Sequence, residues 1–269
     1  MPLIRKIKDK AWFFLHLNRR NPLVARFGKL CKNIHRATEH PTHDNMINGE
    51  RDAVMRLAGA GNPVIFDVGS NVGDWSALTL ALFPTATIHS FELSPATAER
   101  LTARFASSKQ VHVHPFGLGD RTGTIDFFSF SGSESVLSSI RTPLHNHVQH
   151  TVAKAQLVRG DEFCQSHGID FINFLKIDAE NADMEVLQGF SGMLLKGKVG
   201  CIQFEHQGGR FLKEFYDFLV PMGYSIGKLY ANYIDFRDYE QSMEDFLGPN
   251  YVALPTRESG KIQEMIKGW

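Results

Sequence analysis

Seven side chains able to do acid–base or electrostatic chemistry stand at or just beyond the ends of apolar runs: Asp67, Glu92, Lys176, Asp178, Glu180, Glu205 and His206. An apolar run that ends in a charge is how a buried strand delivers one polar group to a pocket at its tip. A carboxylate there can accept two hydrogen bonds from a vicinal diol. His206 has an ordinary pKa suited to a general base near neutrality. Lys176 lies two positions before Asp178, so both fall on one face of a strand, whereas Glu205 and His206 are adjacent and point to opposite faces. Asp178, Glu180 and Glu205 also form an oxygen-only set that would suit magnesium, though no spacing demands a metal.

The loop after the first of these runs is the most informative. Residues 64–76 read VIFDVGSNVGDWS, and the run IHSFEL that follows ends in Glu92-Leu93, with Glu92 23 residues beyond Gly69. Gly69 and Gly73 allow a sharp turn and a close ligand. An acid at about this distance is expected to grip ribose hydroxyls. The loop is not G-x-G-x-x-G, because Asn71 and Asp74 hold its second and third glycine positions. Asp74 at a helix start would repel a pyrophosphate, which argues against a nicotinamide-dependent oxidoreductase. Asp67 adds a second acid. A donor with a cationic end, a ribose diol and no phosphate fits better, and S-adenosylmethionine has those features.

The elements that must position these groups alternate regularly. Strands are expected at 64–69, 87–93, 111–118, 123–130, 148–158, 171–178, 199–206, 224–231 and 250–255. Helices are expected at 50–60, 73–83, 95–106, 161–167, 182–196, 210–221 and 239–247. Such alternation implies an α/β fold, a doubly wound, mostly parallel sheet with helices on both faces. Ligands of these sheets bind beyond the carboxyl ends of the strands, where the named residues fall. The polar run SGSESVLSSI at 131–140 is expected to cover the acceptor site.

Several segments resemble one family. Asp67-x-Gly69-x-Asn71-x-Gly73 resembles the first motif of class I S-adenosylmethionine-dependent methyltransferases, and Glu92 their second. VRGDEFCQSHGIDFINFLKIDAENADMEVLQGF resembles the signature of the FkbM family, L-D followed by K-I-D-x-E-G-x-E-x-x-V-L-x-G. GLGDRTGTIDFF and SVLSSI are similar to its middle region, and NYVALP echoes its end. The resemblance covers about residues 62–206. It departs at Asn181 for glycine, at Asp183 for the following acid, and at Gly160 for leucine. It implies a Rossmann-like sheet of seven strands and methyl transfer to hydroxyl oxygens of sugars or related metabolites. On that basis Asp67, Gly69, Asn71, Val72 and Gly73 should cradle the methionine end of S-adenosylmethionine, and Glu92-Leu93 the ribose. Gly117 and Leu118, beside Phe116, should face the adenine. Lys176, Asp178, Glu205 and His206 are the catalytic candidates, with Asp178 also against the cofactor. A cofactor-binding module without catalysis is the alternative.

The remaining chain divides by charge. The whole carries 29 Lys/Arg and 29 Asp/Glu, yet the first forty residues hold ten Lys/Arg against Asp9 and Glu39, about +8. Residues 1–50 are expected to form a basic amphipathic helical extension, with helices at 3–17 and 23–34 and a linker from His35 to Glu50, and 51–269 the catalytic domain. The apolar stripes of that extension suit packing on the body or a twin subunit. Its charge suits an anionic membrane surface or a phosphate-bearing substrate. The acidic remainder gives no reason to expect nucleic-acid binding. Three scattered cysteines (31, 164 and 201) point to a reducing compartment, and AWFFLHL at 11–17 has no cleavage-type sequence after it. A cytoplasmic protein is expected, at or away from the inner face of a membrane.

Overall fold

A computed structural model describes residues 2–39, 44–130, 138–139, 150–206, 210–244 and 248–257. The chain falls into two compact units, residues 1–42 and 43–269.

The first unit holds two helices, α1 (Pro2–Leu17) and α2 (Pro22–Glu39). Asn18 closes α1 by donating its amide to the Phe14 carbonyl at 2.9 Å. Asn21 opens α2 by accepting from the Leu23 N–H at 2.9 Å, with Pro22 supplying the helix-ready φ of a first position. The linker expected from His35 begins later, because residues 35–39 extend the polar face of α2 instead of ending it.

The second unit begins with α3 (Glu50–Leu57) and then alternates. In order follow β1 (Val64–Val68), α4 (Asp74–Leu82), β2 (Thr87–Phe91), α5 (Pro95–Arg104), β3 (Val111–His114), β4 (Gly117–Gly119), β5 (Gly123–Phe130) and β6 (Ser138–Ser139). Next come β7 (His150–Arg159), α6 (Gly160–His167), β8 (Ile172–Ile177), α7 (Asp183–Gly189), α8 (Ser191–Leu195) and β9 (Val199–Glu205). The last are α9 (Leu212–Leu219), β10 (Tyr224–Leu229), β11 (Ile234–Phe236) and β12 (Asn250–Pro255).

The main sheet runs β11-β10-β12-β9-β8-β1-β2-β3. From β9 to β3 neighbours are parallel; β12 is antiparallel to both β9 and β10. Strand order reverses between β1 and β8, the switch point where such sheets bind ligands. The strands are buried on both faces. Phe66, Phe91, Leu175 and Phe204 face the core under α6, α7 and α9, while Ile65, Ile88, Phe174 and Cys201 face the one under α3, α4 and α5. Parallel strands of this kind read as unbroken apolar runs, which is why they were visible in the sequence.

Three expectations need correction. The sheet has eight described strands, not seven, because the three-residue β11 adds a short antiparallel edge beyond β10. The strand expected at 111–118 is two: β3 stays in the main sheet, and β4 turns away to pair with β7 in a second sheet, β4-β7-β5-β6. The helix expected at 182–196 breaks into α7 and α8, and Gly189 at that break lies against the backbone of Gly119, where any side chain would collide with its carbonyl. Of the 131–140 run only Ser138 and Ser139 are described, so the cover assigned to it lies outside the described residues.

Candidate active site

The loop at the tip of β1 turns by left-handed backbone at Gly69 (φ 80°), Asn71 (φ 50°) and Gly73 (φ 85°). Gly69 also lies so close to the Asp178 carbonyl that a β-carbon there would overlap it. The amides of Gly69 and Ser70 both donate to the Phe91 carbonyl, at 3.0 and 2.9 Å, pinning the loop to the end of β2. Glu92 completes the link. One carboxylate oxygen accepts from the Asn71 N–H at 2.9 Å and the other from the Ser94 N–H at 2.8 Å. Burial pushes its pKa up, and Asp67 and Asp178 add to that, while the two amides pull it down. Each oxygen keeps a further lone pair for a ligand hydroxyl.

Two adjoining cavities, of about 90 and 260 Å3, share Gly69, Asn71 and Asp178 in their walls. The first is also lined by Phe91, Glu92, Leu93, Gly117, Leu118 and Glu180. The second is lined by Asn45, Glu50, Val72, Trp75 and Lys176. Most of the expected cofactor residues therefore meet at one place. Asp67 and Gly73 do not line either cavity. Asp67 is fully buried, accepting from Ser76 Oγ at 2.6 Å and facing Lys176 Nζ at 3.4 Å. Its register opposite Lys176 on β8 makes that pair. Gly73 instead gives room to Leu101 and Phe105. Asp74 is paired with Arg104 at 2.6 Å, so its charge is shared rather than bare.

Lys176 is enclosed by Asp178 at 3.3 Å, Asp67 at 3.4 Å and the Trp75 ring at 5.7 Å. Burial disfavours its charge, but Asp178, Asp67 and Glu50 outweigh that and hold its pKa above the ordinary lysine value. It stays an ammonium and has no lone pair to act as a base. Glu180 and Asn181 follow in left-handed conformation, at φ 48° and 73°, so Asn181 keeps the turn expected where the family has glycine. Burial first, then Asp178, raises the Glu180 carboxyl to about 7. The same two causes raise Asp183, almost wholly buried, to about 7 against the pull of the Glu205 amide.

His206 does not reach this site. It is fully buried, with Nε2 3.0 Å from the Arg210 carbonyl and 3.4 Å from Glu244, and its ring lies against Tyr251. Glu205, half-buried beside it, lines neither cavity. Among the described residues no group of three or more His, Cys, Asp or Glu side chains is arranged to hold a metal ion, so Asp178, Glu180 and Glu205 do not make the magnesium site considered for them.

Sequence reasoning missed Trp75, Asn45 and Glu50. Glu50 accepts from Asn48 at 2.6 Å and Asn250 at 3.0 Å, which fastens residues 45–50 over the carboxyl end of the sheet. That stretch is cavity wall, not linker. Its polar composition carried no sign of this; only the tryptophan, in the first turn after the glycine loop, stood near enough to the motif to be a candidate.

The sequence model of the methyltransferase FkbM domain matches residues 67–226. The chain belongs to the FkbM methyltransferase family. It is a class I methyltransferase that uses S-adenosylmethionine, and the oxidoreductase reading falls away. The 2-O-methyltransferase NoeI of Sinorhizobium fredii is 24% identical over 180 residues, 63% of this chain and 72% of that one. The hexuronic acid methyltransferase AglP of Haloferax volcanii is 24% identical over 200 residues, 72% of this chain and 80% of that one. The crystal structure of an FkbM methyltransferase from Methylobacillus flagellatus is 12% identical with a TM-score of 0.48, covering 71% of this chain and 43% of its own.

The residues at hand fit this cofactor. The cavity walls carry Glu92, Asp178 and Glu180 with Glu50 beside Lys176, an excess of acid suited to a sulfonium and an ammonium. The buried side-chain oxygen of Asn71, on both walls, has no partner among the described residues and is available to a ligand donor.

Proposed function

We propose that this methyltransferase acts on a hydroxyl oxygen of a sugar, in a glycan or a related metabolite. The name of AglP, a hexuronic acid methyltransferase, supports the sugar class, and that of NoeI, a 2-O-methyltransferase, supports oxygen as the accepting atom. The observation that carries the oxygen chemistry is Glu180: a carboxyl raised to about 7, on the wall of the cofactor cavity, two residues from Asp178.

When bound, S-adenosylmethionine supplies a methyl group activated by its positive sulfur. Glu92 holds the ribose diol, its carboxylate already oriented by the Asn71 and Ser94 amides. Leu93, Gly117 and Leu118 form the wall for the adenine. In the second cavity Lys176 meets the carboxylate of the methionine end, while Asp178 and Glu50 meet its ammonium. Trp75 and the burial of Lys176 keep that pairing out of bulk water. The acceptor hydroxyl would be held beside Glu180, which would take its proton. A base with a pKa near the working pH is in the right form often enough to act and is strong enough to matter. Asp178, held against Lys176, orients the cofactor and sets the affinity of Glu180 for its proton. His206 and Glu205 serve as supports: Glu205 through its amide on Asp183, His206 by tying β9 to Arg210.

Methyl transfer from labelled S-adenosylmethionine to a panel of uronic acids, neutral sugars and oligosaccharides, with Glu180→Gln as control, tests the reading. Label in an ether on one sugar class, lost in the variant, is expected. Label on nitrogen or carbon acceptors alone, or none on any sugar, would overturn it.

A further inference from the structure

We infer that the two N-terminal helices form a docking surface for an anionic phospholipid membrane. Each helix is amphipathic with a basic polar face. In α1, Ile7, Ala11 and Phe14 recur at helical spacing, and Lys8 and Lys10 flank that stripe on its two sides. In α2, Leu23, Phe27, Leu30 and Ile34 follow a spacing of four, three and four, with Arg26, Lys29, Lys32 and Arg36 opposite or flanking. A stripe of this kind normally lies against a core. Here Trp12, Phe14, Leu23, Phe27, Leu30 and Ile34 are each 54–72% exposed. Side chains of this size, exposed together in one unit, mark an interaction surface.

The charge decides among occupants. The unit has ten Lys/Arg against Asp9 and Glu39, so a second copy laid on it would bring two strongly positive surfaces together. A bilayer of anionic lipid offers both halves of what the helices lack: hydrocarbon for the stripes and negative headgroups for the flanking Lys and Arg. The aromatic run Trp12-Phe13-Phe14 suits the headgroup boundary, where amphipathic rings gather. No helix among the described residues is long and apolar enough to cross a membrane, so these helices would lie in the surface plane. The inference stands apart from the sugar reading and does not depend on it.

The test is co-sedimentation of the full chain with vesicles of phosphatidylcholine alone and with about a third phosphatidylglycerol added, at low and high salt. Binding to the anionic vesicles, weakened by salt and at least about tenfold poorer on the neutral ones, is expected. Lys29→Gln with Lys32→Gln, on the solvated face, should lower partitioning about 25-fold, about fivefold per charge. Phe27→Glu with Leu30→Glu should abolish it. Melting temperature and affinity for S-adenosylmethionine, read alongside, should stay unchanged in the lysine pair. No sedimentation with anionic vesicles, or partitioning indifferent to both pairs, would overturn the inference. So would a concentration-dependent dimer, broken by the Phe27–Leu30 pair, in a protein that ignores vesicles, since a second copy would then own the stripe.

Discussion

The rate of methyl transfer should record the titration of Glu180. Its carboxyl stands at about 7, raised by burial and by Asp178, lowered by Lys176. A base works in its ionised form, so kcat/KM should climb with pH below 7 and level off above it. With that pKa only about a tenth of Glu180 is ionised at pH 6 and about a hundredth at pH 5, a fall of about 100-fold from the plateau. An unshifted glutamate would still be about three-quarters ionised at pH 5 and would lose almost nothing. The two neighbours supply internal controls of opposite sign. Asp178→Asn removes a repulsion and should move the limb to lower pH, whereas Lys176→Met removes an attraction and should move it higher. Glu180→Gln should cost about 100- to 10,000-fold and erase the limb. Asp183 also titrates near 7 but lines neither cavity, so Asp183→Asn should keep the limb and move it only slightly lower, by the weak repulsion between Asp183 and Glu180. Initial rates on one sugar acceptor across the pH range make the measurement. A flat profile from pH 5 to 9, or a limb that survives in Glu180→Gln, would refute the role of Glu180.

Two further outcomes follow from buried charge. Lys176→Met leaves Asp67 fully buried without its cation, so stability should fall by about 3–5 kcal/mol in urea unfolding, and Asp67→Asn in the same chain should restore part of it. On the opposite face of the sheet, His89 Nδ1 lies 3.0 Å from His114 Nε2, packed against Phe91 and Phe163. Burial first, then the neighbouring histidines, lowers His89 to about 3 and His114 to about 4, both from 6.5. Their neutral forms belong to the folded state, so their contribution is complete above pH 6.5 and is lost as pH falls from there toward 4 and 3. Urea unfolding at pH 5.5 should show a loss of about 2–3 kcal/mol against pH 7.5, and His89→Gln with His114→Gln should flatten that difference. An unchanged pH dependence in the double variant would count against it.

How much of this was legible depends on whether a residue's task is local. The β1 loop and Glu92 could be read because glycine spacing and an acid at the end of an apolar run are consequences of local backbone. Asn181 could be read for the same reason, since its left-handed φ is a property of the turn it occupies. Asp67 looked like its neighbours in the motif, yet its register opposite Lys176 buried it, and register is not written in one strand. Lys176 stood among the catalytic candidates, but the three carboxylates around it fix its charge. His206 was adjacent to Glu205, but where β9 ends and how residues 210–244 return over it decided that its ring would be sealed. The separation of β4 from β3 was equally hidden, because the pairing partner, β7, lies some forty residues further on. Glu50 joined the site through Asn250, two hundred residues away, by hydrogen bonds that no short pattern announces.

Titration calorimetry of S-adenosylmethionine into Glu92→Ala, beside the unaltered chain, goes most directly to the cofactor site. Loss of one hydrogen bond between a ribose hydroxyl and a charged acceptor costs about 1.5–3 kcal/mol, so affinity should drop by about 10- to 150-fold in a variant that still melts cooperatively. An affinity equal to that of the unaltered chain would mean that the donor's ribose lies elsewhere, and the placement of the cofactor beside Asn71 and Glu92 would be wrong.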